Sequence, residues 1–318
     1  MPKAAPIALI VHGGAGSHGP AHERGVRKRA MLEAVNAGAK ILRDGGSALD
    51  AVIASVVILE DHPLFNAGYG STLNADGEVE MDASVMIANG TEIRAGAVAA
   101  VSGVKNPVRL ARAVMEHTPH VMMAGRGAES LASQYGIELR NPEDLITPRA
   151  RERFLARLQE QKELEREGHG TVGAAALDSH GQLAAATSTG GVPGKLAGRV
   201  GDSAIIGAGT FASATGAASA TGHGEAIIMA SLCRETIEAL GEVRGKSDLP
   251  RVARRKITEL IAPQDSEAGI ILVDRRGRIG YAHNAETMEV AIFETTGAVR
   301  HERVASIPRL KPKASQAR

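Results

Sequence analysis

The feature that most constrains the fold is a run of small apolar residues at 170–178, directly after a strongly charged segment. A second apolar run, 183–189, follows after a short link that ends in Gly181. Such a link suits a hairpin, because Gly tolerates the left-handed backbone conformation. Pairing the two runs across the link places Thr171 opposite Thr189, within one residue. The sequence therefore predicts a buried hairpin whose first strand begins at one hydroxyl and faces another.

The position of Thr171 suggests a chemical role. A Thr hydroxyl needs a base to take its proton, and a free α-amine, with a typical pKa of ~7.7–8.0, is such a base. A Thr at a chain start carries both groups. The hypothesis requires cleavage of the Gly170–Thr171 bond, and Gly170 has no side chain to hinder attack on its carbonyl. The alternative is that Thr171 is simply a β-branched residue that opens a strand.

The segment before that bond, 151–170, is half charged and has no lasting apolar stripe after Leu158. Two interpretations remain open. The charges form the solvated face of a helix that begins at Pro148, or they form a detachable linker.

Composition narrows the function classes. The 318 residues carry a formal net charge of +1, and we expect no nucleic-acid partner because no basic stripe is present. Aromatic residues make up 2% of the chain, so the core must consist of Ala, Val, Ile and Leu. The single cysteine, Cys233, is predicted to be a small buried hydrophobe. Residues 1–6 lack a signal-peptide hydrophobic region and no stretch is long enough to span a membrane, so we expect no membrane partner and a cytoplasmic location.

Hydrophobic patterns predict the remaining elements. Strands are predicted over residues 7–12, 78–87, 93–101, 204–209, 269–273 and 279–283, with one more ending near 221. Helices are predicted over residues 20–42, 47–60, 108–117, 126–135, 148 onward, 225–240 and 249–261.

A glycine fingerprint provides a rival interpretation. Gly14, Gly16 and Gly19 have the G-x-G-x-x-G spacing after a predicted strand, which is typical of a dinucleotide-binding oxidoreductase. That fold requires a second strand after the helix. Here a second helix start at Ser47 takes its place, so the dinucleotide interpretation is disfavoured.

Three further segments carry candidate chemistry. The irregular loop 61–70 has carbonyls that are either hydrated or ring a cation, and His62 is predicted to be a loop residue rather than a metal ligand. Arg199 and Asp202 suit the two charges of an α-amino acid, or form a local ion pair on a turn. Residues 221–225 are predicted to begin a helix. Its first N–H groups either stabilise an oxyanion, or are capped by the Thr221 side chain.

Together these motifs resemble the plant-type L-asparaginase and isoaspartyl peptidase family, whose members are N-terminal threonine nucleophile hydrolases. The resemblance covers residues 7–295 in the family's order. It rests on the segments 11–16, 45–52, 63–68, 171–173, 187–191, 198–203 and 221–225.

The resemblance implies an α/β fold of the four-layer αββα sandwich type. It also implies self-cleavage into an alpha subunit, 1–170, and a beta subunit, 171–318, which together form one domain and assemble as a dimer of cleaved heterodimers. We expect a linker over about residues 159–170 and a disordered tail over about 308–318.

The same resemblance assigns roles to individual residues. Thr171 would be the nucleophile and Thr189 would hold its hydroxyl, while Asn66 would position their surroundings. Thr221 and Gly222 would form the oxyanion hole. Arg199 would bind the substrate α-carboxylate, and Asp202 with Gly224 the α-amine. The remaining implied substrate-binding residues are Val200, Gly201 and His223.

The implied reaction is hydrolysis of β-aspartyl dipeptides and of the L-asparagine side-chain amide through a threonyl acyl-enzyme. No catalytic cofactor is expected. The implied structural sodium ion would bind backbone carbonyls of Leu59, Glu60, His62, Phe65, Ala67 and Tyr69.

Other activities stay open at this point. Relatives that cleave glycosylated asparagine share the Arg199 and Asp202 motif, although Gly170 replaces the Asp usual there. A relative that keeps the fold without catalysis is a further alternative.

Overall fold

The computed structural model describes residues 5–16, 20–160, 170–242, 249–294 and 298–303. Within these ranges there are twelve strands: β1 Ala8–Gly16, β2 Met81–Asn89, β3 Glu92–Val101, β4 Met122–Ala124, β5 Val172–Leu177, β6 Leu183–Thr189, β7 Thr210–Ala212, β8 Gly216–Gly222, β9 Ala268–Asp274, β10 Ile279–His283, β11 Thr287–Phe293 and β12 Val299–Arg303. The α-helices of the same ranges are α1 Arg24–Arg43, α2 Ala48–Glu60, α3 Pro107–His117, α4 Gly125–Gln134, α5 Pro148–Glu160, α6 Gly224–Ala230, α7 Leu232–Glu242 and α8 Leu249–Lys256.

The described strands form two sheets that pack face to face between helical layers. One sheet has the order β12-β11-β1-β5-β6-β2-β3-β4 and the other has the order β10-β9-β8-β7. One apolar core lies between the first sheet and helices α1, α2 and α3, and another lies between the second sheet and α6, α7 and α8. A third core fills the space between the sheets. The predicted four-layer αββα sandwich is therefore confirmed.

The predicted hairpin forms the centre of the larger sheet. Strands β5 and β6 pair from Leu177 with Leu183 to Val172 with Ser188, which extends to Thr171 opposite Thr189. The link ends at Gly181, whose φ is +81°. Because side chains alternate along a strand, Thr171 and Thr189 point to the face that meets the second sheet.

Several predicted elements differ from the structure. No strand covers 204–209, where the chain turns so that the Gly209 N–H donates to the Asp202 carbonyl, and the strand begins at Thr210. The predicted helix through Leu240 is broken at Ser231, whose φ is +46°. Strands β11 and β12 were not predicted.

The dinucleotide interpretation is wrong for this fold. Gly14 and Gly16 lie inside β1, which bulges between His12 and Ala15. Helix α1 leads directly into α2, which is capped by Ser47 as predicted. No strand follows α1 in this described stretch, so the βαβ unit of a dinucleotide site is missing.

Two predictions fall mainly outside the described residues, namely the linker over 159–170 and the tail over 308–318. Within the described ranges, none of the helices has the length and apolar character needed to cross a bilayer. Cys233 is fully buried on α7, as predicted.

Two glycines test the packing of this fold. A Cβ at Gly96 on β3 would collide with the Ala111 carbonyl of α3, whereas a Cβ at Gly127 in α4 meets nothing within 4 Å. We expect Gly96→Ala to destabilise the protein by about 1–3 kcal/mol through overpacking. Gly127→Ala should stabilise it by up to about 1 kcal/mol through helix propensity. Denaturant unfolding of both variants measures this, and equal effects would contradict it.

Candidate active site

Thr171 immediately precedes β5 and is 4% exposed. Its Oγ1 donates a hydrogen bond to Thr189 Oγ1 at 3.0 Å. Thr189, the last residue of β6, also accepts from the Gly191 N–H at 3.0 Å. The two hydroxyls that the sequence placed opposite each other are therefore in direct contact, and Thr189 is fixed from a second side.

Asn66 holds the ends of both central strands. Its backbone N–H donates to the Gly170 carbonyl at 3.2 Å, and its own carbonyl accepts from the Gly190 N–H at 3.0 Å. Its side-chain amide donates to the Gly191 carbonyl at 2.6 Å. A Cβ at Gly170 would lie 2.8 Å from Asn66 Cβ, so this close approach requires glycine. The Asn66 N–H also polarises the carbonyl that precedes Thr171.

His12 lies on β1 beside β5, in register with Gly173. Its Nε2 lies 2.9 Å from Ser219 Oγ. Burial lowers the pKa of His12 to about 3, and the nearby Thr171 backbone opposes this shift only in part. The imidazole is therefore neutral and supports the backbone at Thr171 without adding charge. Sequence reasoning missed this role, because a His at the end of an apolar strand has the pattern of an ordinary core residue.

The end of β8 carries Thr221 and Gly222. Thr221 is fully buried and lies on the same strand face as Ser219, towards the larger sheet. Its Oγ1 accepts from the Ala15 N–H at 3.3 Å, so the interpretation of Thr221 as a helix cap is wrong. The N-cap position of α6 is His223, without a side-chain cap. Gly222 has a φ of +135°, and a Cβ there would lie 2.5 Å from the Cα of Ala268.

Arg199 and Asp202 converge on Gly224, where a Cβ would lie 2.7 Å from Arg199 Nη2 and 3.1 Å from Asp202 Oδ1. The guanidinium does not form the predicted local ion pair with Asp202. Instead its Nε and Nη2 donate to Glu225 Oε1 at 2.9 and 2.8 Å. Glu225 thus binds the guanidinium that was expected to bind a substrate carboxylate.

Asp202 is the electrostatically unusual residue of this cluster. It is 4% exposed, and its Oδ2 has no hydrogen-bond partner within the described residues. Burial raises the pKa of Asp202 to about 7, against the lowering effect of the Arg199 charge. An ammonium group placed here would supply the missing donor and favour the ionised carboxylate.

Asp82 and Lys195 connect the two parts of the site. Asp82 lies opposite Thr189 on β2, and its Oδ2 accepts from the Gly201 N–H at 2.9 Å. Lys195 is 1% exposed, and its Nζ donates to the Glu80 carbonyl at 2.9 Å. Burial lowers the pKa of Lys195 and raises that of Asp82, and the opposite charge of each partner opposes the shift of the other.

Sequence reasoning missed both residues. A signal for Asp82 exists, since it is a charged residue inside an apolar strand pattern. Lys195 gives no signal, because a lysine in a Gly- and Pro-containing loop is normally exposed. The remaining implied substrate-binding residues lie between or beside these groups, with Val200 and Gly201 between Arg199 and Asp202. His223 is half-exposed, and its Nδ1 lies 3.2 Å from Ser266 Oγ.

The predicted cation loop follows α2 and brings backbone carbonyls against glycines. A Cβ at Gly70 would collide with the Phe65 carbonyl and lie 3.1 Å from the His62 carbonyl. A Cβ at Gly68 would likewise collide with the Glu60 carbonyl. The Phe65 and His62 carbonyls therefore approach the same point beside Gly70. The other implied carbonyl ligands belong to the same segment, at Leu59, Ala67 and Tyr69.

The side chains of the described residues form no group of three or more His, Cys, Asp or Glu suited to a metal ion. The His62 ring accepts from the Leu64 N–H at 3.3 Å and packs edge-on against Phe65. His62 is thus a loop residue, as expected from the sequence.

Comparison with known proteins agrees with this geometry. The Asparaginase_2 family model, described as asparaginase, matches residues 5–301. An isoaspartyl peptidase/L-asparaginase of Mus musculus is 43% identical over 280 residues, which cover 85% of this chain and 83% of the relative. An isoaspartyl peptidase of Salmonella typhimurium is 44% identical, covering 88% and 93% of the two chains. A plant-type L-asparaginase of Pyrobaculum calidifontis is 45% identical, covering 88% and 94%. The chain belongs to this asparaginase family.

The buried lysine provides a test of the site's electrostatics. Lys195→Met keeps the apolar stem but removes one of the two positive charges that act on buried Asp82, the other being Arg199, and the donor to the Glu80 carbonyl. Leaving buried polar groups without such partners costs about 1–3 kcal/mol. We expect a loss of this order in the free energy of unfolding, and partial recovery when Asp82→Asn is added. A double-mutant cycle by denaturant unfolding measures the coupling, and additive effects would show that the charges do not interact.

Proposed function

We propose that this protein is a self-activating amidohydrolase that cleaves β-aspartyl dipeptides and the side-chain amide of L-asparagine and releases L-aspartate. The names of its relatives as isoaspartyl peptidases and L-asparaginases support the substrate class. The observation that carries the proposal is the hydrogen bond from Thr171 Oγ1 to Thr189 Oγ1. Thr171 directly follows Gly170, whose carbonyl accepts from the Asn66 N–H.

Self-cleavage is proposed to begin at that carbonyl. Thr171 Oγ1 attacks the Gly170 carbonyl carbon while the Asn66 N–H stabilises the developing oxyanion. The C–N bond breaks, the freed α-amine takes the hydroxyl proton, and an ester joins Gly170 to the Thr171 oxygen. Water then hydrolyses the ester. The products would be the two subunits 1–170 and 171–318, with a free amine on the nucleophile.

In the cleaved enzyme, that amine is the proposed base. It takes the proton of Thr171 Oγ1, which attacks the side-chain carbonyl of the aspartyl residue. The Thr221 hydroxyl and the Gly222 N–H are the proposed donors to the oxyanion. Ammonia or the remaining amino acid leaves with a proton from the amine. A water molecule, activated by the same amine, then releases L-aspartate from Thr171.

Recognition of the aspartyl part is proposed to use both charges of the Gly224 cluster. The substrate α-carboxylate binds Arg199 in exchange for Glu225, which is half-exposed and free to move towards solvent. The α-ammonium binds Asp202 and fills the place of its missing donor. The leaving group makes neither contact, so both a dipeptide and asparagine are accepted.

Two further features belong to the proposal. The backbone carbonyls of the loop 61–70 hold a structural sodium ion, which stiffens the loop that carries Asn66. Two cleaved heterodimers assemble as a dimer. Neither feature contributes a reacting group.

Substrate selectivity provides the functional test. We expect hydrolysis of β-aspartyl dipeptides and L-asparagine but not of α-aspartyl dipeptides, measured by aspartate release. Thr171→Ala should lower kcat by about 10³-fold or more, because the nucleophile is lost. Ser179→Ala, at the other end of the same hairpin, is the matched control with unchanged activity. Undiminished hydrolysis by Thr171→Ala would refute the proposed mechanism.

The raised pKa of Asp202 predicts a pH dependence of ligand binding. Below its pKa of about 7 the carboxyl is neutral and loses its attraction for the ammonium group. The dissociation constant of L-aspartate should therefore rise by about tenfold per pH unit as pH falls below 7. In Asp202→Asn, binding should be about 10–100-fold weaker at pH 8, since a charge-assisted hydrogen bond is lost, and should not show this dependence. Calorimetry measures the dissociation constants of both proteins. A wild-type dissociation constant that does not change from pH 8 to about 5.5 would exclude Asp202 as the group that binds the ammonium.

A further inference from the structure

A line of buried polar side chains joins the two sheets beneath the active site. We call it the inter-sheet seam, and it consists of His12, Ser219, Thr187, Thr210 and Ser84, all fully buried. Its links are short. His12 Nε2 lies 2.9 Å from Ser219 Oγ, Ser219 Oγ lies 2.7 Å from Thr187 Oγ1, Thr210 Oγ1 donates to Thr187 Oγ1 at 2.6 Å, and Ser84 Oγ lies 2.7 Å from Thr210 Oγ1.

The hydrogen bonds of the seam converge on Thr187 from both sides. His12 Nδ1 accepts from the Gly14 N–H at 3.4 Å, so the neutral ring carries its hydrogen on Nε2 and donates it to Ser219. Ser219 then donates to Thr187. Thr187 donates to the Gly209 carbonyl at 2.9 Å. The one hydroxyl hydrogen of Ser84 faces two acceptors, the Ser203 carbonyl at 2.6 Å and Thr210 Oγ1 at 2.7 Å.

The two ends of the seam lie at different parts of the active site. The His12 end lies against Gly173 of β5, two residues from Thr171, where a Cβ would lie 2.5 Å from His12 Nε2 and collide with Ser219 Oγ. At the other end Ser84 bonds the Ser203 carbonyl, and Thr187 in the middle bonds the Gly209 carbonyl. The Gly209 N–H donates to the Asp202 carbonyl at 3.1 Å. The seam thus joins β5, which directly follows Thr171, to the turn that carries Asp202.

The surroundings explain why direction matters here. The core between the sheets is built from apolar side chains, many of them Ala. Contacts between small apolar surfaces are not directional, so they fix the offset between two sheets weakly. Hydrogen bonds fix distance and angle. A buried hydroxyl left without a partner is unfavourable, which disfavours any other offset.

We propose that the inter-sheet seam sets the position of Thr171, on the larger sheet, relative to the Asp202 turn and the Thr221 strand. Its members are positioning residues that do not touch the substrate. This inference rests on the proposed function, because it concerns the geometry of that same reaction.

The test compares Thr187→Val with Thr187→Ser. Valine has the shape of threonine without the hydroxyl, whereas serine keeps the hydroxyl and loses the methyl group. A displacement of about 1 Å costs on the order of 100-fold in rate. We therefore expect Thr187→Val to lower kcat and the self-cleavage rate by at least about tenfold, and Thr187→Ser to stay within about threefold of wild type.

The matched control is Thr236→Val. Thr236 is also fully buried, but its hydroxyl bonds only the Leu232 carbonyl within α7. It should lose thermal stability without loss of kcat. If Thr187→Val does not fold, Ser84→Ala replaces it, and a several-fold rise in KM for the aspartyl substrate is expected because the Asp202 turn loses its support.

The outcomes distinguish a failure of the proposed hydrolase function from a failure of the positioning role of the seam. A wild-type protein without hydrolase activity refutes the proposed function. An active wild type whose Thr187→Val variant keeps kcat within about twofold at lowered stability refutes the positioning role alone. Loss of activity in Thr187→Val with recovery in Thr187→Ser supports it.

Discussion

The site depends on the register between β5 and β6. Side chains alternate along a strand, so a slip of one residue would turn Thr171 away from Thr189 and from the second sheet. The register is specified from both sides, because β1 pairs along β5 and β2 pairs along β6. Alanine-rich strand faces allow the second sheet to pack closely on this hairpin. Thr171 therefore lies at one end of the layer between the sheets, where it is almost fully buried.

Charge burial is the second constraint. Asp82, Lys195 and Asp202 are almost fully buried, and each ionised group loses hydration there. Asp82 and Lys195 oppose each other's pKa shift, whereas Asp202 keeps an unpartnered oxygen. Arg199 is paired with Glu225, whose side chain is about half exposed. In the proposed function, Asp202 would take the ammonium group and Arg199 the carboxylate of an amino acid.

Much of the fold and site was accessible from the sequence. The hairpin register followed from the Gly-terminated link, and α2 followed from its Ser47 cap. Residues whose partners are distant in sequence were not accessible. Lys195 is buried only because 190–201 folds onto β2, and Ser219 acquires a partner only when the two sheets meet. The turn at 204–209 read as a strand because its apolar residues are buried by the same folding that brings Asp202 to Gly224.

The most direct measurement is the intact mass of freshly purified protein beside Thr171→Ala. Self-activation predicts two masses that sum to the 33.0 kDa chain plus one water, divided between Gly170 and Thr171, with the variant remaining whole. A wild-type chain that stays whole after long incubation, or a variant that is cut at the same bond, would contradict the assignment of Thr171 as the nucleophile of its own cleavage.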